Sequence, residues 1–257
     1  MPTLSRITVY PIKSLSGVGV ESVRITLAGS LENDRRWAMV DAKGHVVSGK
    51  RNQQVFKLNA AFNLQDESVC FTNEQGKSED FSLQNPRLLE SFLSEQLDKK
   101  LYLKENKQQG FPDDIDANGP TLISQASLEE VVSWYKDLSI DDIRARFRIN
   151  LEVDDAPAFW EDQLYKVNNK NLTLCVGDVE INPSNPCARC SVPIKEPGSG
   201  KPYNNFFETF IQKREQSAPS WHDPACFDHW YRLSANTRVN TQQAKKTLSL
   251  GDSVRVG

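Results

Sequence analysis

The chain has 257 residues, with 31 Lys or Arg against 34 Asp or Glu and a formal net charge of −3. That length suits one large domain or two modest ones around well-buried cores, and a hydrophobic share of 38% rules out a disordered chain. The slight acidity argues against a general nucleic-acid binder, and no run approaches the ~18 apolar residues of a membrane span.

In chain order, the first hundred residues read as short strands rich in β-branched and aromatic residues, over 6–10, 20–27, 37–40, 46–48, 56–64, 69–72 and 81–83. Turn residues separate them at 28–30, 41–44 and 73–76, a spacing that suits a sheet that curls or closes. A helical apolar stripe follows Pro86 over 87–97. The polar stretch 104–119, with Pro112 and three Asp residues, reads as a linker, so the predicted domains are 1–118 and 119–257. Beyond it come a strand over 122–124 and a helix opened by Ser127 and Glu130 at capping-box spacing. Further strands are predicted near 147–153, 165–167, 172–175 and 180–182, then a helix over 203–214 and closing strands over 231–239 and 253–256. The fold class is mainly β with a few peripheral helices. No export signal stands at the N-terminus, so the expected compartment is the reducing cytoplasm.

Five cysteines, an odd number, do not form a disulfide framework in that compartment and leave any special thiol to reactivity or metal binding. The densest signal is Asn185-Pro186-Cys187-Ala188-Arg189-Cys190, read as a loop running on into a Pro/Gly-rich stretch to Pro202. Its thiols fit a turn, a redox dithiol or a metal ligand held beside the positive charge of Arg189. Structural zinc needs two more ligands, for which Cys226, His222 and His229 are the candidates. A second signal is cationic: Arg144, Arg146 and Arg148 recur at every second residue, and on a strand would share one face against Phe147 and Ile149. Arginines so gathered bind phosphate or carboxylate, whereas a solvated face paired with Asp141, Asp142 and Asp154 is the plain alternative.

Taken in order, several segments resemble the MOSC family, the domain at the C-terminus of molybdenum cofactor sulfurases, and in particular its branch with an N-terminal β-barrel domain. They are Tyr10-Pro11-Ile12-Lys13-Ser14, Asp34-Arg35-Arg36-Trp37, the 122–128 helix entry, Phe147-Arg148-Ile149-Asn150, Gly177-Asp178, Cys187 to Cys190, and Arg232 to Arg238. The resemblance implies a β-barrel MOSC fold and a molybdopterin-type molybdenum cofactor whose metal is held by one thiolate, by position that of Cys190. It further implies contacts to the pterin and its phosphate from Lys13, Ser14, Arg35, Ser124, Ser127, Arg148 and Asn150. The implied chemistry is reduction of N-hydroxylated small molecules, with electrons from a separate electron-transfer protein; binding or carrying the cofactor or sulfur without turnover is the alternative. The sequence departs from the family at Ile149, where Pro is usual, and at Pro193-Ile194-Lys195, where Thr is common. Glu161 and Asp162 are the acid–base candidates, with Asp162 the chosen catalytic residue beside Cys190.

Overall fold

The computed structural model describes residues 1–166 and 172–257. Its first half carries strands β1 (Thr3–Val9), β2 (Val18–Val20), β3 (Ser22–Arg24), β4 (Trp37–Asp41), β5 (Asn59–Asn63), β6 (Ser68–Thr72) and β7 (Ser78–Ser82). Helix α1 (Arg87–Gln96) and strand β8 (Leu101–Glu105) follow. The expected turns form where Gly29, Gly44 and Gly76 donate back to Thr26, Asp41 and Asn73. β5, β6 and β7 make an antiparallel meander, and β4 pairs with β8. Val69, Phe71 and Phe81 from the meander meet Leu89 and Leu93 from α1 in one apolar core.

The second half runs β9 (Leu122–Ser124), α2 (Gln125–Ser133), α3 (Ile140–Phe147), β10 (Leu151–Asp154), β11 (Leu174–Val176) and β12 (Val179–Ala188). It closes with α4 (Phe206–Gln216), β13 (Arg232–Arg238), β14 (Thr247–Ser249) and β15 (Val254–Val256). The principal sheet is ordered β15-β11-β12-β13-β9-β10-β1-β2, so the first two strands of the chain complete the sheet of its second half. β9 and β10 are parallel, which requires a crossover, and α2 and α3 supply it. Phe147, Phe206, Phe210 and Leu233 fill the layer between these helices and the sheet. The protein is mainly β, as the composition of its segments predicts.

Several local expectations are corrected. The run 144–150 is not a strand: Ser139 and Asp142 form a reciprocal capping box that starts α3, Arg148 ends it in the left-handed region, and the strand begins only at Leu151. On a helix, residues two apart diverge by about 200°, so Arg146 faces away from Arg144, while Arg148 stands at the left-handed end of α3. α2 is capped by Ser124, which accepts from the Ser127 amide, rather than by Ser127. Segment 46–48 makes a single bridge from Val46 to Val40, 20–27 contains only the short β3, and Phe56 lies in a 3-10 turn. Tyr165 is not in a strand, and Val167 lies outside the described residues. Among the described residues no helix is long and apolar enough to cross a membrane.

Candidate functional site

One cavity of about 1240 Å³ opens between the meander side of the first half and α3 with the end of β12. It is larger than the ~300–1,000 Å³ of ordinary ligand pockets. Ten Lys or Arg residues line it against six Asp or Glu. A chain of net charge −3 therefore turns a positive surface inward at this one place.

Two sequence motifs meet at its floor because their backbones are stitched together. The Lys13 amide donates to Trp37, the Trp37 amide to Pro11 and the Arg35 amide to Tyr10, while Asp34 Oδ1 accepts from the Tyr10 amide. This places Lys13, Ser14 and Arg35 side by side on the lining. Arg35 pairs with Asp34, whereas its neighbour Arg36 turns away to Glu67 and Glu105. Ser14, Arg35 and Arg148 all sit at positive φ, of 75°, 50° and 55°. Such conformations cost on the order of 1 kcal/mol or more each and persist where the surroundings fix them, often at ligand sites.

Arg148 is the most informative of these. Its guanidinium lies 4.2 Å from the Tyr10 ring centroid, and Nη1 donates to the Leu15 carbonyl at 2.5 Å. Its Nη2 is buried and has no hydrogen-bond partner among the described residues. Burial lowers the Arg148 pKa to about 10, with Tyr10 opposing the fall, so it remains a cation at neutral pH. Burial likewise pushes the Tyr10 phenol up to about 12, leaving its hydroxyl to donate to the Ile149 carbonyl. A buried N–H left unpaired on a residue that lines a cavity is costly, and an anionic ligand oxygen that reaches it satisfies it. The residues present therefore fit a phosphate-bearing group.

Asn150 also lines the cavity, but its side chain is committed to the scaffold: Oδ1 accepts from Thr121 and Nδ2 donates to the Thr8 carbonyl. Arg146 is buried, with Nη1 bonded to the carbonyls of Pro193 and Lys195 at 2.9 Å each, so it holds the loop after the cysteine pair. Arg144 pairs with Glu152 and Asp141. The cysteine pair is not wholly in a loop, since Cys187 lies within β12, next to its last residue Ala188, and the register shifts of that strand around Pro183 and Pro186 accommodate the prolines. Cys187 and Cys190 both line the cavity, and Cys190 is the exposed one of the two. The positive charge of Arg189 goes to Cys187, with Nη1 3.0 Å from its sulfur, and not to Cys190.

Residues 1–116 match the family model described as "MOSC N-terminal beta barrel domain". A bovine protein, mitochondrial amidoxime reducing component 2, is 25% identical over a match covering 77% of this chain and 68% of its own. The molybdenum cofactor sulfurase of Caenorhabditis elegans is 23% identical over a match covering 78% of this chain and 30% of its own, so the chain corresponds to under a third of that relative. The matched segment thus brings Lys13, Ser14 and Arg35 to the cavity, and the second half brings Arg148, Asn150 and Cys190.

Three predicted site residues lie elsewhere. Ser124 and Ser127 are fully buried behind β9, with their hydroxyls 2.7 Å apart. Ser127 Oγ donates to Glu161 at 3.0 Å, and the Ser124 amide donates to the same carboxylate at 3.2 Å. Asp162 is buried in an ion pair with Arg214 at 2.5 Å, while the Arg214 guanidinium lies 3.9 Å from the Phe159 ring centroid. None of these groups lines the cavity. Among the described residues no three His, Cys, Asp or Glu are grouped to hold a metal, so the zinc set of Cys226, His222 and His229 has no structural support. Sequence reasoning missed Lys50 and Asp113, both on the lining; the aspartates of 104–119 were the available signal for Asp113.

Proposed function

We propose that this cavity holds a molybdopterin-type cofactor with the Cys190 thiolate on its metal, and that the protein reduces N-hydroxylated small molecules there. One observation carries the reading: an exposed thiol, that of Cys190, and Arg148, whose buried Nη2 has no partner among the described residues, line the same positively lined cavity. The names of the two relatives support parts of this reading: a molybdenum cofactor sulfurase the cofactor, an amidoxime reducing component the reduction. Bound there, the group supplies the two-electron removal of oxygen from nitrogen. The chain supplies position and charge. Cys190 offers one soft thiolate, as a transition metal that must keep other positions open requires. Arg148 donates Nη2 to an anionic oxygen, held in plane by the Tyr10 ring beneath it. Val55, Phe56 and Leu58 give the opposite wall an apolar stretch suited to the organic part of a substrate.

Reduction of a hydroxylamine to an amine takes up two electrons and two protons and releases water. The partner is therefore an external electron-transfer protein. A second reading, cofactor binding without turnover, is favoured by the burial of Asp162, which removes the predicted acid from the cavity. Protein produced in a host that makes molybdopterin separates the two. With dithionite as reductant and an aryl hydroxylamine as substrate, amine should accumulate with the wild type and not with Cys190→Ala; metal-loaded protein that yields no amine supports the binding reading instead.

A further inference from the structure

The Lys13 amine has three N–H donors and three partners, all on one segment: the carbonyls of Phe111 at 2.8 Å and Pro112 at 3.0 Å, and the Asp113 carboxylate at 2.9 Å. The same carboxylate oxygen is 3.8 Å from Lys50 Nζ. Arg35 acts on Asp113 too: with Lys13 and Lys50 it outweighs burial and holds the Asp113 carboxyl at about 2. The segment is anchored at its base, where the Phe111 amide donates to the Arg35 carbonyl and Gly110 packs on the 34–35 backbone. A Cβ at Gly110 would stand 2.6 Å from the Asp34 carbonyl oxygen, and φ is +66° there, so glycine is required for that approach. The Asp113 side chain itself is 56% exposed.

We infer that Asp113 is an internal counter-ion for the Lys13, Arg35 and Lys50 cluster, which the phosphate-type anionic group of a ligand must displace, so that it sets the affinity of the cavity for anions. The inference rests on the anion-binding reading above and deepens it. The fixed base at Gly110 and the exposed carboxylate describe a strap whose tip can leave without disturbing the floor. Exchange of one anion for another at the amine conserves the number of ion pairs, so the carboxylate lowers the net gain of binding. The pair is half-exposed and worth ~0.2–1 kcal/mol, which converts to roughly a 1.4- to 5-fold change in affinity.

Inorganic pyrophosphate, titrated calorimetrically into the full-length protein at low ionic strength, is the probe. Asp113→Asn and Asp113→Ala should bind it about two- to fivefold tighter than the wild type. Asp114→Asn removes the same charge from the same lining without the Lys13 contact, and should gain less affinity than either Asp113 variant. Wild-type binding with no gain in either Asp113 variant, or an equal gain in Asp114→Asn, overturns the counter-ion role while leaving the cavity an anion site. No pyrophosphate binding by any of the four proteins overturns both.

Discussion

Two polar regions of this protein carry similar residues and differ in their access to the cavity. Around the cavity, Arg148 keeps a buried N–H unpaired, Cys190 is exposed, and the lining holds four more basic than acidic groups, ten against six. Where β9 runs into α2, Ser127 serves Glu161 and Asp162 serves Arg214; Glu161 Oε1 and Arg214 Nε and Nη1 keep no partner among the described residues, but none of these groups lines the cavity and neither carboxylate is more than 3% exposed. The first region has donors left for a ligand. In the second, the principal contacts are spent on the fold, so its residues are read as structural although family resemblance places some of them at a cofactor.

Substitutions can break this contrast, and the largest effect is expected in the sealed region. Arg214→Met strands the Asp162 carboxylate in a dry site and should lower stability to urea by about 3–5 kcal/mol. Arg148→Met at the cavity forfeits one carbonyl bond and should cost about 1 kcal/mol. Equal costs would erase the distinction.

The sealed region should also set the response to pH. Burial, reinforced by Asp162, raises the Glu161 carboxyl from 4.5 to about 7. Between these values the folded protein holds a proton that the unfolded chain releases, so stability falls as pH rises through the window. The loss is on the order of 3 kcal/mol for a shift of this size. Urea unfolding at pH 5 and pH 8 should show that fall in the wild type and not in Glu161→Gln. A wild type equally stable at both pH values contradicts the buried proton.

A smaller effect sharpens the assignment of the serines. Ser127→Ala removes the acceptor of the Phe159 amide and a donor to Glu161, and should cost about 1–3 kcal/mol. Its molybdenum content per folded chain should match the wild type. Loss of metal without loss of stability would return Ser127 to the site. Smallest of all, Cys187→Ala should change stability by within about 0.5 kcal/mol of zero, since its half-buried thiol is bonded only to Arg189 and an adjacent carbonyl.

Much of the fold was legible because local chemistry decided it. The turns at Gly44 and Gly76 and the strands they bound are written in short runs of sequence, as is the apolar stripe of α1. The site was legible where a motif ties its own backbone, as Tyr10 to Ser14 and Asp34 to Trp37 do through the Arg35 and Trp37 amides. It was not legible at 144–150, because alternating arginines satisfy a strand pattern as well as a helix face, and the decision lay upstream in the Ser139–Asp142 cap. Nor does sequence show which side of β9 a serine faces, since the partner, Glu161, lies 34 residues away from Ser127. Asp113 was hidden for the opposite reason: a polar, Pro-containing stretch reads as a linker until its carbonyls and carboxylate are found on Lys13.

The most direct test is the metal content of the two cysteine variants, produced in a molybdopterin-making host and purified beside the wild type. Elemental analysis should find near-stoichiometric molybdenum in the wild type and in Cys187→Ala, and none in a folded Cys190→Ala. Molybdenum retained by Cys190→Ala, or zinc in place of molybdenum throughout, would contradict the assignment of the cavity.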